Sequence, residues 1–173
     1  TQFVFSNLEN QMEMLKRFIR NKDEMLAQRG HSYWRSEQII EPLTKLIEEG
    51  QVSDFDLRGK QRFLSLGSCG GVKVYTSLTR LFASSVDILA TIGTGLAMIN
   101  DPYNKMFFEI IASNNPSITW KNVAQQSASV FQGERGQDYL LPGSLTAILH
   151  KILDEEQQAS GRTAAKERFD RSR

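Results

Sequence analysis

Cysteine is almost missing from this chain: Cys69 is the only one among 173 residues. One thiol excludes an intramolecular disulfide framework and any metal site built from several cysteines. Nothing then calls for an oxidising compartment, and an intracellular, cytoplasmic setting is the default expectation. Charge of one sign is lacking too, because 21 basic and 20 acidic residues leave a formal charge of +1. A global pull on nucleic acid or membranes is excluded, and any such attraction has to be local. Long hydrophobic runs are also missing. The nearest, residues 81–99, contains Asp87, Gly93, Gly95 and scattered Ser and Thr, below the apolar density of the ~20 residues needed to span a bilayer. It reads as a buried central helix, with no membrane span. The first residues carry no basic leader, apolar core or small-residue cleavage site, so no signal peptide is expected.

What is present is helix punctuation. Ser6 and Glu9 have capping-box spacing, and Phe5 suits the staple position before them. Leu8, Met12, Leu15, Ile19 and Leu26 then recur at alternating steps of four and three, with Lys22 at the missing rung, predicting one helix that runs to Gly30. A second helix is expected from Ser32 or Ser36 to Gly50, with Pro42 either kinking it or opening a new one. Residues 52–62 read as a connector. Phe63 to Leu66 and Val72 to Tyr75 alternate weakly around a glycine-rich centre, which suggests a hairpin or a broken loop. Helix resumes at Ser77 or Thr79 and continues to Asn100. Asp101-Pro102 then reads as a cap and first helical residue before the stripe Tyr103, Met106, Phe107, Ile110 and Ile111. Further helices are expected after Ser117, with Trp120, Val123 and Phe131 on one face, and after Ser144. The expected fold class is therefore mainly α: a single-domain bundle of five or six helices with a small β-hairpin or glycine-rich loop near residues 63–75. An apolar arm (1–5) precedes the helical domain (6–156), and a polar tail (157–173) follows it.

Candidate chemistry is sparse, and no cofactor or metal site is expected. Gly67-Ser68-Cys69-Gly70-Gly71 resembles the G-x-C-G-G signature around the nucleophile of the chymotrypsin-like cysteine proteases of picornavirus-type viruses. The resemblance covers five residues. It implies a double β-barrel, a histidine far upstream of the cysteine, and glycines that turn backbone amides toward a developing oxyanion. The available bases are His31 and His150. Gly93-Thr94-Gly95 matches the opening of a dinucleotide fingerprint, but Met98 stands where the third small residue belongs, so the two glycines read as packing or kink positions.

Basic residues gather as Lys16, Arg17 and Arg20 on the first helix and as Arg58, Lys60 and Arg62 in the connector, two groups able to contact a phosphate backbone. Glu13 and Glu24 stand at ion-pair spacing from the first group. Asn122, Gln125, Gln126 and Ser129 form a charge-depleted face of the kind found at interface centres, and Phe3, Val4 and Phe5 form an apolar arm; both point to self-association as a homo-oligomer. The sequence thus favours a non-enzymatic, self-associating scaffold protein, in a more specific version a coat- or nucleocapsid-like subunit that contacts RNA or other nucleic acid. A cysteine hydrolase with Cys69 as nucleophile is the competing class.

Overall fold

A computed structural model describes residues 7–29, 39–83, 85–131 and 139–142, together with the single residues 156 and 160. Its centre is a four-stranded mixed β-sheet. Leu8–Arg20 form α1, Met25–Gln28 β1, Glu41–Glu48 α2, Asp54–Arg58 α3, Arg62–Leu66 β2, Tyr75–Leu81 α4, Val86–Thr91 β3, Ala97–Ala112 α5, Trp120–Ser127 α6 and Tyr139–Leu140 β4. The strand order is β1-β2-β3-β4. The first three strands are parallel, and β4 pairs antiparallel with β3.

The two faces of this sheet bury different helices. Leu64 and Leu66 of β2, with Val86, Ile88 and Ala90 of β3, pack in one cluster with Leu15, Phe18 and Ile19 of α1, Leu43 and Leu46 of α2, Leu57 of α3 and Leu78 of α4. Phe63 and Leu89, one residue out of phase on the same strands, join Tyr103, Phe107 and Ile110 of α5 and Val123 of α6 on the other side. The two-residue side-chain period of a strand produces that division, and the result is a helix–sheet–helix sandwich. The second cluster is aromatic: the Phe107 and Trp120 rings stack with centroids 5.6 Å apart, and Phe63 tilts against both.

An all-helical bundle is therefore not the fold. Helices are the larger part of the described chain, but the sheet between them is far more than a small hairpin. Helix α1 stops at Arg20, and Lys22, the residue read as an incomplete rung, turns the chain with φ +56° before β1 begins. Leu26 is a strand residue that reaches the same core as Leu15 and Ile19, so its spacing from them is not a helical one. The expected long helix up to Asn100 is divided into α4, β3 and the start of α5. Ala83, with φ +48°, ends the first piece, and in Val86–Thr91 every residue but Asp87 is buried, so Ile88, Leu89 and Ala90 follow one another without alternation. Residues 63–66 are a central strand rather than half a hairpin, and residues 71–74 are a 3-10 turn leading into α4.

Several local signals hold. Pro42 sits at the second position of α2, the opening of a new helix. Gly50, with φ +67°, follows that helix. The cap of α1 is one residue later than expected, with Asn7 Oδ1 accepting the Asn10 amide at 2.8 Å. The connector 52–62 contains α3, capped by Ser53 and Asp56 in a reciprocal box. Pro102 lies inside α5, which begins at Ala97 rather than at Asp101. The expected helix after Ser144 and the terminal arm lie outside the described residues. No helix among the described residues is long and apolar enough to cross a membrane.

Candidate functional site

All three parallel strands end at one edge, and the residues that follow them interlock there. Beyond β1 and β2 the ladder continues for one more rung, with the Gly67 amide donating to the Gln28 carbonyl at 3.1 Å. Ser68 Oγ then donates to Gln28 Oε1 at 2.7 Å. Asn100, in the first turn of α5, donates Nδ2 to the Gly67 carbonyl at 2.7 Å. The Thr91 hydroxyl at the end of β3 donates to the Ser68 carbonyl and accepts the Gly71 amide at 3.1 Å. The Gly70 amide reaches the Gly93 carbonyl at 2.8 Å.

Cys69 is half-buried at the centre of this loop. Gly70 beside it takes φ +66°, a left-handed conformation that costs a side chain about 1–2 kcal/mol. A Cβ at Gly67 would lie 2.6 Å from Asn100 Oδ1, so the close approach of α5 requires glycine there. Gly95 meets the Gly67 carbonyl in the same way. Of Gly93 and Gly95, read from sequence as packing or kink positions in a buried helix, Gly95 does pack closely, but in the loop after β3 and against the cysteine loop. No double β-barrel surrounds the G-x-C-G-G segment, so the frame implied by the viral proteases is absent among the described residues.

The lip of this edge is charged. Arg29, the residue after β1, forms an ion pair with Asp101 on α5, and both side chains are about half exposed. Tyr139 of β4 closes the far side, its hydroxyl accepting the Leu96 amide at 2.8 Å where α5 begins. A separate cavity of about 490 Å³ opens between α5 and α6, lined by Phe107, Ile110, Ile118, Trp120 and Val123. Trp120 Nε1 donates to Asp87 Oδ2 at 3.0 Å near the start of β3, which places that cavity toward the opposite edge from Cys69.

The basic candidates do not form one surface. Arg62 is 2% exposed. Its guanidinium donates to the carbonyls of Leu57, Asp56 and Ile19 at 2.9, 3.1 and 3.3 Å, between the rings of Phe18 and Phe82. Burial pushes its pKa down, and the charge is withdrawn from any phosphate. Arg58 pairs with Asp54 at 3.3 Å and Lys60 with Glu24 at 2.9 Å. Arg17 and Arg20 are exposed and Lys16 is half-buried. Arg20 Nε donates to the Gln51 carbonyl at 3.1 Å.

Gln125 and Gln126 on α6 and Ser129 in the turn after it are exposed, whereas Asn122 is engaged in a capping box with Thr119. The absence of charge at Asn122 therefore has a local cause. Phe3, Val4, Phe5, His31 and His150 lie outside the described residues. No group of three or more metal-ligating side chains occurs among the described residues.

Sequence reasoning missed Thr91, Asn100 and Gln28 as neighbours of Cys69. The available signal was a repeated unit, an aliphatic run followed by glycine and then a helix, at residues 62–81 and again at 86–112. No protein-family model, curated protein or solved structure matches the chain.

Proposed function

We propose that the chain is a cysteine-nucleophile hydrolase acting on an amide or ester carbonyl, with Cys69 as nucleophile and His31 as its base. One observation carries the reading. Cys69 lies three residues after β2, at the carboxyl ends of the parallel strands, half-buried in a loop held by side chains from β1, β3 and α5. Open parallel sheets bind their ligands at the carboxyl ends of the strands, a fold-level analogy that favours this edge over the cavity at the other. His31 is taken as the base rather than His150 because it follows a parallel strand, β1, by three residues in sequence, whereas His150 follows the antiparallel β4 by ten.

In this reading the imidazole takes the thiol proton and the thiolate attacks the substrate carbonyl carbon. The tetrahedral intermediate collapses as the leaving amine or alcohol receives that proton. Water, deprotonated by the same histidine, then cleaves the thioester and restores the thiol. The probe is p-nitrophenyl acetate. Wild-type protein should release a burst of p-nitrophenolate stoichiometric with the chain, Cys69→Ala should abolish it, and His31→Ala should slow it by about 10²-fold or more. A wild-type chain with no burst, or a burst that survives Cys69→Ala, rejects the reading.

A second reading, self-association, draws on the outer face of α5, where Met98, Phe108 and Ile111 are 73%, 53% and 49% exposed. Exposed apolar groups of this kind mark contact surfaces when they are contiguous. Sedimentation should show a concentration-dependent oligomer that Phe108→Glu converts to monomer, and a wild-type monomer at all concentrations would remove it. The nucleic-acid version rests on Lys16, Arg17 and Arg20, of which Arg20 also acts electrostatically on Asp56 and donates to the Gln51 carbonyl. Its test is salt-dependent binding to mixed-sequence RNA.

A further inference from the structure

We infer that Thr91 and Asn100 are positioning residues for Cys69, holding the loop 67–71 in the one shape that presents the thiol at the sheet edge. The inference rests on the reading of Cys69 as a nucleophile. Thr91 is fully buried and ends β3. Valine would fill such a position with the same shape and without a hydroxyl, and a buried hydroxyl is unfavourable unless it is bonded. Both of the bonds it makes go to the cysteine loop. The carbonyl it binds belongs to Ser68, immediately before Cys69, and the amide it binds belongs to Gly71, two residues after it. The segment carrying the thiol is thus fixed at both ends by one side chain.

Asn100 acts one step earlier. It is 6% exposed, and its Nδ2 holds the Gly67 carbonyl at 2.7 Å. Gly67 lacks the Cβ that would strike the Asn100 amide group, so the glycine and the asparagine form one contact. Ser68, itself 2% exposed, is tied on its other side to Gln28 of β1. The loop is therefore braced from both neighbouring strands. The bracing reaches every loop residue except Cys69 itself, whose side chain keeps part of its exposure. A nucleophile displaced by about 1 Å can lose on the order of 10²-fold in rate, so the bracing acts on catalysis without Thr91 or Asn100 touching a substrate.

The test compares wild type with Thr91→Val, Thr91→Ser and Asn100→Ala in p-nitrophenyl acetate hydrolysis, with circular dichroism and melting recorded on each protein. Thr91→Val and Asn100→Ala should lower kcat by about tenfold or more with KM little changed, since positioning acts on the bound complex. Thr91→Ser, which keeps the hydroxyl, should recover most of the loss. A folded Thr91→Val chain with wild-type kcat overturns the inference while leaving the hydrolase reading intact. If Thr91→Val does not fold, a folded Asn100→Ala chain with wild-type kcat overturns it in the same way. No burst in wild type, or one that persists in Cys69→Ala, instead overturns the hydrolase reading and this inference with it.

Discussion

The two edges of the sheet bury polar side chains for different purposes. At the amino edge Arg62, at the start of β2, gathers carbonyls from α1, from α3 and from the turn after α3, and Trp120 of α6 reaches Asp87 of β3. Each of these bonds joins separate elements. At the carboxyl edge Thr91, Asn100 and Gln28 also come from separate elements, yet all three converge on residues 67–71. The first edge holds layers together, and the second holds a single loop in shape. A protein needs the first arrangement to fold. On the proposed reading, the second serves the thiol that the loop carries.

That contrast predicts a separation of effects. The largest loss of stability should follow Arg62→Ala, which takes the guanidinium donor from the buried Leu57 carbonyl and opens the space between Phe18 and Phe82. About 4 kcal/mol is expected by denaturant unfolding. Arg62→Met, which keeps the apolar stem, should cost less. Phe107→Ala, at the centre of the aromatic cluster, should lower stability by about 3–4 kcal/mol. In both cases p-nitrophenyl acetate turnover of the protein that remains folded should stay near wild type, and a selective loss of turnover would break the comparison.

Asn100→Ala should lie in between. It removes one donor to a buried carbonyl, about 1–3 kcal/mol, but should reduce turnover far more than the larger losses at the other edge do. Trp120→Phe sharpens the opposite case: losing the donor to Asp87 should cost about 1 kcal/mol with turnover unchanged.

The smallest effect is a dependence on pH at the α3 cap. The hydroxyl and amide of Ser53 hold the Asp56 carboxyl below the ordinary carboxylate range. Because the folded pKa is depressed, this contribution is complete above the unfolded aspartate value of about 3.9 and is lost as pH falls through the lower folded value. The stability difference between wild type and Asp56→Asn should therefore be full at neutral pH and shrink in acid. A difference that stays constant down to the lowest pH would show that the carboxylate charge has no part in the cap.

Some of this was already written in short stretches of sequence. The box at Ser53 and Asp56, the proline near the start of α2, the glycine after it and the stripe of Tyr103, Phe107 and Ile110 are each signalled within a few residues, because a helix satisfies its backbone and faces its core within one or two turns. The basic groups were less legible. Sequence shows that Arg58 has acids nearby, but Arg62 becomes a core residue only because carbonyls from Ile19 to Lys60 converge on it. The scaffold reading leaned on ends that lie outside the described residues and on a helix face partly explained by the Asn122 cap.

What the sequence by itself determined was where most helices lie and which of their faces are apolar. Only the tertiary structure decided that residues 25–28 and 86–91 are strands. The first is too short to show a period, and the second is buried on both faces and so shows no alternation. Only the tertiary structure brought Thr91 and Asn100 to the loop of Cys69, over separations in sequence of 20 to 33 residues. Parallel strands pair through long crossovers, so residues that meet at their ends carry no local mark of the meeting.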